Sequence, residues 1–197
     1  MKNLLSAGLL ALMTSFGSCA GPTLVPAAPF GVDLRPQMSV KTDSPTFKQS
    51  FKTFCLRNPD FCLPVEAERM TISDAQLDTL VRVNRDVNRR IAPMSDQDNY
   101  GTKERWTFPK NGAGDCEDYA LEKRRLLLKK GFPAGALRII VGQDDTNVTH
   151  AVLGVVTDQG TIVLDNRTDR ALPLEKSFMV DPAWMTDPAV FAGWVAL

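Results

Sequence analysis

The hydrophobic pattern of this chain predicts an α+β domain, with a helical N-terminal half followed by an antiparallel sheet. Three observations predict it. The run Ser73-Asp74-Ala75-Gln76 is a capping box, and it opens an amphipathic segment that continues to Ile91. Asn111-Gly112-Ala113-Gly114 is a flexible approach to a second helix starting near Asp115. Apolar, β-branched runs then cover residues 137–141, 151–156 and 161–164, the last two flanking Asp158-Gln159-Gly160, which is a hairpin signal.

Composition bounds the rest. The chain has 197 residues, with 23 Lys and Arg against 23 Asp and Glu, so an even charge gives no electrostatic reason to expect nucleic acid or an anionic membrane as partner. With 44% hydrophobic and 23% charged residues it reads as a folded chain, not a disordered or collagen-like one. Lys2 precedes an apolar run over residues 4–13 that is too short to span a bilayer, and Ser18-Cys19-Ala20 offers the small residues of a secretory cleavage site. Residues 1–20 therefore read as a signal peptide and the protein as exported, periplasmic in a bacterium. A retained membrane anchor is one alternative. Lipidation at Cys19 is another, because Phe16-Gly17-Ser18-Cys19 loosely resembles a lipoprotein box. Residues 21–46 are rich in Pro, Ser, Thr and Lys, without sustained periodicity, and read as an irregular arm. The folded domain is expected over residues 47–197.

Within it, Leu77, Leu80, Val81, Val87 and Ile91 recur at helical spacing, while Arg82, Arg85, Asp86, Arg89 and Arg90 cover the outside, and Pro93 closes the segment. Residues 96–111 are polar and hold Pro109, so they read as a loop with Tyr100, Trp106 and Phe108 embedded in it. The second helix runs through Ala120, Leu121, Leu127 and Leu128 to Lys129-Lys130, where the lysines suit the negative helix end and Gly131 supplies a left-handed stop.

The sequence has four cysteines, and Cys19 belongs to the leader or its junction. Cys55 and Cys62 lie seven positions apart around Pro59, a segment able to turn back and close a small disulfide loop; two buried thiols are the alternative. That leaves Cys116 as the odd one out. Cys116 falls in the first turn of the second helix, where the positive dipole end and free N–H groups favour a thiolate. The only histidine, His150, begins a strand, and Asp165 ends the next one. A single imidazole rules out zinc sites that need two, and makes His150 the only route for imidazole acid–base chemistry. Cys, His and Asp in these places are the set that thiol catalysis needs: nucleophile, proton acceptor, and orienter of the imidazole. Taken singly, each has a structural explanation, as a small core residue, a satisfied histidine and a turn aspartate.

Here the residues match a known family. Gly114-Asp115-Cys116-Glu117-Asp118-Tyr119-Ala120, followed by Thr149-His150-Ala151-Val152-Leu153 and Val163-Leu164-Asp165-Asn166, resembles the bacterial transglutaminase-like cysteine proteinases. Val83-Asn84, Val87-Asn88, Tyr100-Gly101 and Trp106 look like that family's upstream run, and the resemblance covers about residues 47–170. It implies a papain-like fold with Cys116 as nucleophile, His150 as general base and acid, and Asp165 as orienter. The best-known members are periplasmic proteases that clip a large surface adhesin, are held by an inner-membrane cyclic-di-GMP receptor, and bind calcium through acids beside the nucleophile. Carried over, this makes Asp115 and Glu117 calcium ligands, with Asp118 a further candidate, and implies no organic cofactor. Those acids also suit a helix N-terminus without any ligand. Acyl transfer or amidase chemistry with the same triad, or an inactive binding relative, are the alternatives to a peptidase.

The hairpin carries a geometric condition. A three-residue loop at 158–160 pairs Thr157 with Thr161 and puts Asp165 on the face that His150 does not use. An even loop, or a β-bulge, returns Asp165 to the face of His150. The triad therefore predicts an even loop or a bulge.

Overall fold

The structure is a computed structural model and describes residues 45–197. The leader over residues 1–20, Cys19, and the arm over 21–46 up to residue 44 lie outside the described residues. Helix α1 (Pro45–Arg57) starts within the stretch that its composition marks as an arm. Phe47, Phe51 and Phe54 recur at helical spacing on a buried face of α1 and stack edge-on against Trp106, Phe108 and Trp194. Tertiary aromatic packing thus fixes a helix whose surroundings in sequence are Pro, Ser, Thr and Lys. Cys55 and Cys62 are bonded, closing the turn after α1.

Helix α2 (Asp74–Arg90) opens with the capping box: the Ser73 hydroxyl accepts from the Gln76 N–H, and the Gln76 side chain accepts from the Ser73 N–H. Leu80, Val83 and Val87 are buried, whereas Leu77 in the first turn is exposed. The expected loop over 96–111 contains a short helix, α3 (Asp96–Tyr100), capped by Ser95 and stopped by Gly101 at φ +70°. Five residues are too few to show a period, so only the caps mark it. Two short parallel strands, β1 (Ala92–Pro93) and β2 (Ala113–Gly114), tie the end of α2 to the approach of α4 (Cys116–Lys129). Helix α4 is buried nearly all round and lies between α2 and the sheet.

The sheet holds β3 (Leu137–Asp144), β4 (Thr149–Thr157), β5 (Gly160–Leu164), β6 (Ala171–Pro173), β7 (Met179–Asp187) and β8 (Gly193–Ala196), antiparallel in the order β6-β5-β4-β3-β7-β8. Ile139, Val141, Ala151, Leu153 and Val155 join the core with the helices, and Ile140, Val152, Val156 and Val163 form a smaller apolar cluster with Met179 and Met185. Thr157 pairs with Gly160, so the β4–β5 loop has two residues, Asp158 and Gln159, and Gly160 starts the strand at φ +122°. The loop is even. The ladder ends at Leu153–Leu164; beyond that point β4 remains paired only with β3.

Candidate active site

Cys116 is the first residue of α4 and is 4% exposed, with its Sγ 3.4 Å from Glu117 Oε2. The sequence left this cysteine over; in the structure it too is disulfide-bonded, and no free cysteine is found among the described residues. The thiol chemistry below belongs to the reduced form.

His150, the second residue of β4, is 2% exposed, and its Nε2 lies 2.9 Å from Asp165 Oδ1. With Nε2 engaged, Nδ1 is the nitrogen left to exchange a proton. Asp165 follows β5 and is buried. Burial pushes its carboxyl pKa up, but the hydrogen bond and charge of His150, the Arg167 N–H and the Lys123 ammonium outweigh this, and the net shift is downward. The carboxylate is therefore ionised wherever the site works.

Several residues hold this carboxylate in place. The Asn88 amide donates to the backbone oxygens of Asp165 and Thr168, and the Asn84 amide to those of Thr168 and Arg170, so one face of α2 grips the loop after β5. Lys123 Nζ donates to Leu164 O at 3.3 Å, and burial pulls its pKa down to about 7. The upstream asparagines matched the family run, but no spacing rule shows that they reach a loop some eighty residues away.

Beside Cys116 sits a knot of acids. Asp96, Asp115 and Glu117 each bring one carboxylate oxygen within 4.8 Å of the others. Asp115 Oδ2 accepts from the Asp96 N–H at 3.1 Å, and Asp96 Oδ2 accepts from the Arg105 N–H. Burial, then the charge of Asp115, raises Asp96 to about 7; burial and the surrounding acids raise Glu117 well above the usual range. Asp118 is raised to about 9 by burial and by Asp115, yet its Oδ1 accepts from the Thr107 N–H at 3.0 Å and so pins the loop. Sequence reasoning found Asp115 and Glu117 and missed Asp96, which α3 and the β1–β2 pair carry to the site. The Ser95 cap was the available signal.

Asp96 Oδ1, Asp115 Oδ1 and Asp118 Oδ2 are buried and have no hydrogen-bond partner among the described residues. Orphaned, oxygen-only donors that raise one another's pKa fit a hard cation such as calcium. A cavity of about 430 Å³ reaches this knot and is lined by Cys116, His150, Trp106, Asp96, Asp115 and Glu117, among others.

The mixed helix and antiparallel-sheet fold is of the papain/transglutaminase-like class. The family model for bacterial transglutaminase-like cysteine proteinases matches residues 39–179, and the chain belongs to that family of cysteine peptidases. Among solved structures, calcium-bound Legionella pneumophila LapG matches at 25% identity with TM-score 0.50, over 56% of this chain and 64% of that one. LapG without a stated ligand matches at 26% identity and TM-score 0.48, and the EGTA-treated form at 26% and 0.48 over 62% of its chain. The matched region thus spans less than two thirds of LapG's own length. A comparison with curated proteins returned no match.

Proposed function

We propose that this protein is an endopeptidase in which Cys116 is the nucleophile, His150 the general base and acid, and Asp165 the orienter. The observation that carries this reading is the buried 2.9 Å contact between His150 Nε2 and Asp165 Oδ1, in a site whose cavity also meets Cys116 at the start of α4. Asp165 accepts from Nε2–H, which leaves Nδ1 with its lone pair. Nδ1 takes the proton of the reduced thiol, and the thiolate attacks the carbonyl carbon of the scissile peptide bond. The N–H groups of the first turn of α4 lack intrahelical partners and are placed to stabilise the oxyanion. Collapse breaks the C–N bond while Nδ1–H protonates the leaving amine. Water then gives its proton to Nδ1 as its oxygen attacks the thioester, releasing a carboxylic acid and restoring the thiol.

Asp96, Asp115 and Glu117 would hold calcium, the ion named for the LapG structure. Bound there, calcium neutralises the acids that otherwise oppose thiolate formation next to Cys116. The leader over residues 1–20 supports export to the periplasm, and the likeness of residues 114–120 to the adhesin-releasing members supports a large surface protein as substrate and an inner-membrane cyclic-di-GMP receptor as partner.

The test is a thiol-reactive activity probe and a turnover assay on wild type, Cys116→Ala and His150→Ala, with an amine acceptor added in parallel. With Cys116 reduced, both variants should remain folded and lose at least about a thousandfold in rate. Residual activity above a tenth of wild type in either variant defeats the triad. Cross-linked rather than hydrolysed product makes the protein an acyl transferase.

A further inference from the structure

Ladder pairing between β4 and β5 stops at Leu153–Leu164, three residues short of His150. The two strand ends that carry His150 and Asp165 are thus joined on this side by side chains and not by backbone hydrogen bonds. One residue outside the triad reaches both ends. The Arg167 N–H donates to Asp165 Oδ1 at 2.9 Å, the same oxygen that meets His150. Its guanidinium Nη1 lies 2.7 Å from Asp144 Oδ2 and 2.8 Å from Asp145 Oδ1, and the group stacks over Phe178 at 4.7 Å. Asp144 Oδ1 in turn accepts from the Thr146 N–H, the Thr146 hydroxyl and the Val148 N–H, which builds the β3–β4 turn leading into His150.

We infer that Arg167 is a positioning residue: it braces the loop after Asp165 against the turn before His150, and so sets the His150–Asp165 contact at the unzipped end of the sheet. The inference rests on the triad reading above. The Arg167 side chain is 19% exposed and Asp144 8%, so that pair is largely shielded from solvent, whereas Asp145 is 43% exposed. Both carboxylates meet the one nitrogen Nη1, which has two N–H groups and can serve one to each.

The experiment follows alkylation of Cys116 by iodoacetamide in the reduced full-length protein, across pH, by peptide mass spectrometry. Iodoacetamide reports the thiolate that His150 creates and needs no substrate. Loosening the contact by about an ångström costs up to a hundredfold in a positioned reaction, so Arg167→Met should slow alkylation near pH 7 about tenfold. Near pH 10, where the thiol ionises unaided, its rate should stay within about twofold of wild type. Arg167→Lys, which keeps one ion pair, should recover most of the pH 7 rate. An Arg167→Met rate within about twofold of wild type near pH 7, or equal losses at both pH values, overturns the inference. Should Arg167→Met fail to fold, the double change Asp144→Asn/Asp145→Asn decides: Oδ1 of residue 144 still serves the turn, both ion pairs to Arg167 are gone, and an unchanged rate near pH 7 overturns the brace. His150→Ala is the control. If it too leaves the profile unchanged, the triad has failed; if it shifts the profile and the Arg167 variants do not, only the brace has failed.

Discussion

Replacing Asp165 separates its charge from its geometry. Both donors that reach the carboxylate, His150 Nε2 and the Arg167 N–H, converge on Oδ1 at 2.9 Å, while Oδ2 is buried without a partner. Asp165→Asn can therefore leave its carbonyl oxygen where Oδ1 sits and place its NH₂ at the unpartnered position. The Arg167 N–H enforces that orientation, because an amide turned the other way would set two donors face to face. His150 then keeps its proton on Nε2 and its lone pair on Nδ1. What is lost is charge, and the difference between a charge-assisted and a neutral hydrogen bond is about 1–2 kcal/mol. Asp165→Asn should thus retain turnover within about 5- to 30-fold of wild type. Asp165→Ala removes the tautomer anchor and should lose about a thousandfold or more. The assay is turnover of a fluorogenic peptide selected on the wild-type protein, with melting temperatures recorded alongside. If Asn is as damaging as Ala, the convergence on Oδ1 does not govern the histidine and the reasoning is wrong.

Three further outcomes follow from the packing. Asp96 and Asp118 have pKa values raised by burial to about 7 and about 9, so the folded state binds their protons more tightly than the unfolded chain. In EGTA the melting temperature should therefore rise as pH falls from about 9 to about 5, and calcium should stabilise most at the alkaline end, where these acids are ionised. A flat, calcium-independent profile by scanning calorimetry would remove the cation site. Opening the Cys55–Cys62 loop by a double Cys→Ala change should cost about 2 kcal/mol in urea unfolding, and free-thiol titration of the untreated protein should not find these two cysteines. A Cβ on Gly114 would lie 2.6 Å from Asp118 Oδ2 and 2.7 Å from its Cβ, so Gly114→Ala should cost about 1–3 kcal/mol and release the 107 loop, as judged by proteolysis there.

Local chemistry wrote part of this protein directly into its sequence. The Ser73 capping box, the Gly131 stop at φ +82° and the β-branched runs of β3 to β5 are decided by neighbours within a few residues, and the structure shows them at their expected places. The block around Cys116 likewise pointed to the family whose model matches residues 39–179. Other features depend on contacts between distant segments. Helix α1 is held where Phe47 and Phe51 meet Trp194, Phe51 meets Trp106 and Phe54 meets Phe108, contacts that no local rule anticipates. Asp96 enters the acid knot only because β1 pairs with β2, and Asn84 and Asn88 gain their role only where α2 passes the loop after β5. The hairpin stands between these cases. The sequence posed the question of loop parity, and a one-residue change of register moves a side chain to the other face of the sheet. Backbone pairing of Thr157 with Gly160 answered it, bringing Asp165 to His150 at 2.9 Å.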